Sequence, residues 1–220
     1  MFAESYQDYL RKYIELKNGI PSHDTIRHVM GMISPEILQQ LYGKWQERLD
    51  KNDGELLKKI ICIDGKTMRS NKRGEEKASH VVSAWSKEDG FCLGQKAVGE
   101  KSNEITAIPE LPEKIQIKGQ IITIDAMGTQ TAIAEKIRQK RAVRGHWSIE
   151  SMHWHLDVTF REDANTTLDK MAAQNLNIIR KRSLSILKPA EISRHKLSIR
   201  KKRFVVSLRP IKYLEELLEV

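Results

Sequence analysis

The hydrophobic pattern changes period along the chain. Up to about residue 50 the apolar positions recur at helical spacing. In "SHDTIRHVMGMI" they fall at 26, 29, 30 and 33, with His23 or Asp24 expected at the N-cap. "SPEILQQLYGKWQERL" opens a second helix, with Ser34 at the cap, Pro35 at the first position and Ile37, Leu38, Leu41 and Trp45 on one face. "DKNDGE" (50–55) breaks the pattern and predicts a domain boundary. Beyond it, "KKIICID" (58–64), "ASHVVSAWS" (78–86) and "FCLGQKAV" (91–98) read as strands, with Asp89-Gly90 as the turn of a hairpin. "SNEITAIPELPEKI" (102–115) predicts a helix cut by its prolines, "GQIITIDAMG" (119–128) a further strand, and "TQTAIAEKIRQK" (129–140) a helix capped by Thr. Three strands, helix, strand, helix describe a mixed α/β sheet that begins antiparallel.

Composition narrows the class. With 220 residues and 40% hydrophobic content the chain can bury a real core, and no apolar run approaches the roughly 20 residues of a membrane span. No basic stretch followed by an apolar one opens the sequence, so a cytoplasmic, nucleoid-associated protein is expected, with Cys62 and Cys92 as buried free thiols. The net charge of +9 is concentrated: Arg180 to Lys212 holds twelve Lys or Arg against one acid, Glu191. A stretch this one-sided points to a polyanion, most simply DNA. Arg180, Lys181, Arg182 and Arg200, Lys201, Lys202, Arg203 are the expected phosphate contacts. Phe204 to Val206 fit a short strand or a packed helix end equally well.

Two predicted strands end alike, in "IICIDGKT" and "IITIDAMG", each on a lone acid, Asp64 and Asp125. Each alone reads as a turn or helix cap; two in neighbouring strands suggest a shared divalent cation, since carboxylate oxygens suit Mg²⁺ or Mn²⁺. A third acid, Glu150, lies in "RGHWSIESMHWHLDVTFRED" (144–163), with His146, Trp147, His153 and Trp154 on its own helical face and Asp157 continuing it. That face is expected to point inward. An aromatic packing stripe with an incidental acid, or a zinc site from His146, Glu150 and His153, are the other readings. Lys66, just past Asp64, either touches a DNA phosphate or is solvated.

"IDGKT", "GEKSNEITAIPELPEKIQIKGQIITIDAMGTQ" and "RGHWSIE…HWHLDVTFREDA" resemble the DDE transposases of bacterial insertion sequences, in the group of H-repeat-associated proteins. "NGIPSHDTIRHVMGMISPE" (18–36) resembles their N-terminal associated domain, and "AAQNLNIIRKRSLSILK" with "LSIRKKR…YLEELL" their C-terminal helices. The resemblance implies an α/β fold: a ribonuclease H-like mixed sheet with flanking helices, a partial N-terminal helical domain (1–50), a catalytic core (56–163) and basic C-terminal helices (164–220). It implies Asp64, Asp125 and Glu150 as catalytic, metal-binding acids. Two Mg²⁺ or Mn²⁺ ions about 3.5–4 Å apart would serve DNA cleavage and strand transfer during transposition. DNA ends and target would be the partners, with a homodimer or pairing with full-length transposase.

The sequence also departs from the family. Only 24 residues separate Asp125 from Glu150, where relatives hold a further strand and a β-rich insertion, so an internal deletion is expected near Lys140–Arg141. "HWSIESMHW" is one residue shorter after the glutamate than the usual pattern, which turns a helix by about 100°. The chain also begins inside the associated domain. These features predict a truncated copy, weak or inactive. The competing expectations are a non-catalytic DNA-binding remnant that inhibits full-length transposase, and a structure-specific nuclease without strand transfer.

Overall fold

The computed structural model describes residues 2–49, 59–69, 78–99, 104–108, 111, 115, 120–124, 141–193 and 195–218. The expected boundary at 50–55, half of the 102–115 helix, the 129–140 helix and Asp125 lie outside them. The helices are α1 (Phe2–Ser5), α2 (Gln7–Leu10), α3 (His23–Met32), α4 (Pro35–Leu49), α5 (Glu104–Ala107), α6 (Arg141–Trp154), α7 (Lys170–Leu187), α8 (Ile199–Leu208) and α9 (Pro210–Leu218). The strands are β1 (Ile60–Thr67), β2 (His80–Ser86), β3 (Phe91–Val98) and β4 (Ile121–Ile124).

The four strands form one sheet in the order β3-β2-β1-β4. β1 and β2 pair antiparallel, as do β2 and β3, while β1 and β4 run parallel. This is the ribonuclease H-like mixed sheet with flanking helices that the resemblance implies. Both faces are covered, which explains the unbroken apolar run Ile60–Ile63 of β1. Ile61, Ile63, Val82 and Ala84 pack against Ala107, Ile108 and Leu111 on one face. Ile60, Cys62 and Trp85 pack against Ile149, Met152, Leu156 and Leu184 on the other. The hairpin turns where Asp89-Gly90 predicts it: Gly90 has φ 71°, and Ser86 Oγ donates to Asp89 Oδ2 at 2.6 Å.

Several details differ from expectation. β1 does not end on Asp64; it continues to Thr67, because β2 goes on pairing with it through Gly65↔Val82, Lys66↔Val81 and Thr67↔His80. The cap of α3 is Ser22, whose hydroxyl accepts from Thr25 N–H at 3.1 Å. Ile26, Val29, Ile37 and Leu41, expected to pack, are exposed. Phe204 to Val206 lie inside α8.

The N-terminal helices dock on α7. The buried Asn175 donates its amide to the carbonyls of Met30 and Ile33, at 2.8 and 2.7 Å, and so satisfies the end of α3. α6 runs on as a five-residue π-helix, His155–Thr159. Arg161, in the left-handed region at φ 54°, then turns the chain into a 3₁₀ turn, Glu162–Ala164, that carries Glu162 inward.

Candidate active site

On β1 alternate side chains share a face, so Cys62, Asp64 and Lys66 all look towards α6. The helix answers in step. Cys62 Sγ lies 3.5 Å from Ser148 Oγ, Asp64 Oδ2 lies 3.4 Å from His153 Nδ1, and Lys66 Nζ lies 2.6 Å from Asp157 Oδ1. Two strand residues advance about 6.7 Å and a helical turn 5.4 Å, so the rungs stay in phase only briefly. Strand and helix therefore run in the same direction, and Asp64 lies level with the turn before Asp157.

Glu150 stands on this helix, one turn ahead of His153. Ile149, Met152 and Leu156 turn to the sheet, and Glu150 lies about 100° round from Ile149, on the exposed flank. The aromatic face is not inward as expected: Trp147 is 72% and Trp154 55% exposed. The core takes the aliphatic stripe instead, because Ile149, Met152 and Leu156 recur at i, i+3 and i+7.

Asp64 has its Oδ1 accepting from the Gly65 N–H at 2.8 Å. Ile63 and Ile124, the residues just before Asp64 and Asp125, are register partners across β1 and β4. Asp125 itself lies outside the described residues, as does the side chain of His146. Among the described residues no three His, Cys, Asp or Glu side chains gather as a metal site. The two expected carboxylates that are described, Asp64 on β1 and Glu150 on α6, are of the hard oxygen type that suits Mg²⁺ or Mn²⁺.

The network around Lys66 was not anticipated. Its ammonium also lies 3.6 Å from Glu162 and 3.7 Å from Asp163. Glu162 is almost fully buried, held by Asn177 Nδ2 at 2.9 Å and Arg180 Nη1 at 3.4 Å. The signal available was "FRED", two acids following an aromatic turn, which also fits a solvated loop.

Most of the expected phosphate contacts have internal partners. Lys181 is 2% exposed and donates to Ser83 Oγ and Gln95 Oε1 at 2.6 and 2.7 Å; burial pushes its ammonium below the usual lysine range. Arg182 lies over the Trp45 ring at 3.9 Å, and burial lowers it to about 10. Lys202 Nζ donates to the carbonyls of Leu187 and Lys188, both at 2.9 Å, closing the end of α7. Arg203 donates to the Thr159 carbonyl and covers the Phe160 ring at 5.5 Å. Arg180 holds Glu162, whereas Arg200 and Lys201 are exposed on α8. Cys62 and Cys92 are free thiols, both pushed up by burial.

A family profile described as "Transposase DDE domain" matches residues 55–144, and one described as "DDE_Tnp_1-associated" matches residues 1–46. The first span includes Asp64 and Asp125 and ends before Glu150. The chain is 43% identical over 166 residues to the "H repeat-associated putative transposase YhhI" of Escherichia coli K12, covering 73% of this chain and 42% of that protein. It is 40% identical over 163 residues to YbfD of the same organism, also named as H repeat-associated, covering 73% of this chain and 63% of that protein. With YncI of that strain it shares 46% over 144 residues, 64% of this chain and 56% of the other. The chain thus spans about two fifths to two thirds of the length of these relatives.

Proposed function

Because the chain belongs to the DDE transposase family, we propose that its substrate is DNA and that it carries the acids of a phosphodiester-cleaving and strand-transferring site. Asp64, Asp125 and Glu150 would hold divalent metal, Mg²⁺ or Mn²⁺. Bound there, the metal would activate a water or a DNA 3′-hydroxyl and stabilise the leaving oxygen. The residues would supply placement: Asp64 stands in a paired strand, and Glu150 stands on α6 one turn before His153, which contacts Asp64. The observation that carries this reading is the Asp64–His153 contact, which joins the two acid-bearing elements at one level. The exposed Arg200 and Lys201 are the phosphate contacts best supported by their surroundings.

A second reading is a DNA-binding remnant with weak or no turnover that occupies element ends or pairs with full-length transposase. It is favoured by the short internal connection, 24 residues, between Asp125 and Glu150. Plasmid nicking in Mn²⁺ or Mg²⁺, beside Asp64→Ala and with thermal unfolding of both, separates the two. Metal-dependent nicking lost in the variant supports the catalytic reading; a folded protein that binds DNA and never nicks it leaves the remnant.

A further inference from the structure

We infer that Lys66 is a positioning residue: its ammonium, gathered by Asp157, Glu162 and Asp163, locks the register of the Glu150-bearing helix on β1 rather than contacting DNA. The consequence for metal binding rests on the function proposed above; the lock itself rests on geometry.

Lys66 and Asp64 are neighbours on one face of β1, and their partners Asp157 and His153 are one turn apart on the helix. The strand thus presents an acid then a cation, and the helix an imidazole then an acid. Sliding the helix by one turn would set Asp157 against Asp64, carboxylate on carboxylate, and leave Lys66 without that partner. The charge order therefore favours one register and penalises its nearest competitor. The other acids make the lock three-sided. Glu162 and Asp163 reach Lys66 at 3.6 and 3.7 Å, and Glu162 is tied in turn to Asn177 and Arg180 of α7. One ammonium so fastens β1 to the π-helix that continues α6, to the turn that follows it, and through Glu162 to α7.

A phosphate contact is a poor alternative. The Lys66 side chain is only 9% exposed, and a phosphate reaching it would enter a ring of three carboxylates.

The test compares wild type with Lys66→Met, which keeps the length and removes the charge, Lys66→Arg, which keeps the charge, and Asp157→Asn. Asp157→Asn leaves Lys66 paired with Glu162 and Asp163, so it serves if Lys66→Met does not fold. Three readouts are taken: hydrogen exchange of segment 147–163, the salt dependence of DNA binding, and Mn²⁺ affinity by electron paramagnetic resonance. Exchange across 147–163 should quicken about tenfold or more in Lys66→Met and less in Asp157→Asn, with Lys66→Arg close to wild type. The log–log salt slope should stay unchanged and Mn²⁺ affinity should fall severalfold. Unchanged exchange in both Lys66→Met and Asp157→Asn, or a slope reduced by about 0.9 as one lost phosphate contact requires, overturns the inference. Wild type that binds no Mn²⁺ would defeat the proposed function, while exchange would still judge the lock.

Discussion

Gly65 lies directly beneath the Glu104 carboxylate. A Cβ at that position would overlap Glu104 Oε1 and His80 Nε2 and sit 2.6 Å from Glu104 Cδ. His80 links Glu104 to Thr67, its Nε2 lying 2.6 Å from Glu104 Oε1 and its Nδ1 2.8 Å from Thr67 Oγ1. A glycine inside a strand marks such a close approach. It explains the glycine of "IDGKT" as the floor of a polar cluster on the face of β1 opposite Asp64.

Gly65→Ala should therefore push aside the Glu104 carboxylate and the His80 ring, the movable ends of two side chains, and destabilise by about 1 kcal/mol, the low end of what overpacking costs, read from the urea midpoint. In a Glu104→Ala background the same change should cost less by at least about 0.5 kcal/mol, since the two sites share one space. Equal losses in both backgrounds would mean that something other than this contact demands the glycine.

His155 carries a pH dependence whose sign is fixed. Burial first, and Lys188 second, lower its pKa below the ordinary 6.5. The unfolded chain takes the proton first, so this contribution to stability is present above about pH 6.5 and is lost as pH falls through the folded value. His155→Gln can keep the contact with Thr159 Oγ1, now 3.2 Å from Nδ1, and cannot titrate. Between pH 7.5 and 5 its urea midpoint should drop less than that of wild type; parallel curves would assign the acid loss to other groups.

Asn175 joins the N-terminal helices to the core through two carbonyls at the end of α3. Asn175→Leu fills the space and leaves both carbonyls unpaired, at a loss of roughly 2 kcal/mol or more. Hydrogen exchange should show faster opening of α3 than of β1. If β1 loosens as much as α3, Asn175 supports the whole fold and not the docking alone.

Much of this fold was legible because it rests on local chemistry. The hairpin at Asp89-Gly90, the apolar run of Ile60, Ile61 and Ile63, and Pro35 at a helix start each need only their neighbours. What was not legible depends on partners far away in sequence. Asp64 reads as a strand end because "DGK" breaks the apolar pattern; only its pairing with Ser83 on β2 shows that the strand goes on. Trp147 and Trp154 look like core residues beside Glu150, yet the sheet takes Ile149, Met152 and Leu156. The basic tail is a further case. A long aliphatic stem lets Lys181 bury and Lys202 reach back to carbonyls, so charge counted along the chain overstates charge on the surface.

That difference makes the DNA contacts separable by salt. Arg200 and Lys201 are exposed on α8, one and two positions before Lys202, whose ammonium closes the end of α7 on Leu187 and Lys188. Replacing Arg200 and Lys201 together by Gln should lower the slope of log affinity against log salt by close to 2, at about 0.9 per phosphate, with little change in stability. Lys202→Gln removes one charge from the same helix, yet should leave the slope nearly unchanged and destabilise by about 0.5–1.5 kcal/mol through the lost carbonyl contacts. Fluorescence anisotropy with a labelled duplex, titrated across salt, reads the slopes, and urea unfolding reads the stabilities. A slope that falls by about 0.9 for Lys202→Gln, as one lost phosphate contact requires, would mean that its ammonium leaves the carbonyls when DNA binds, and that the tail works by net charge rather than by two exposed residues.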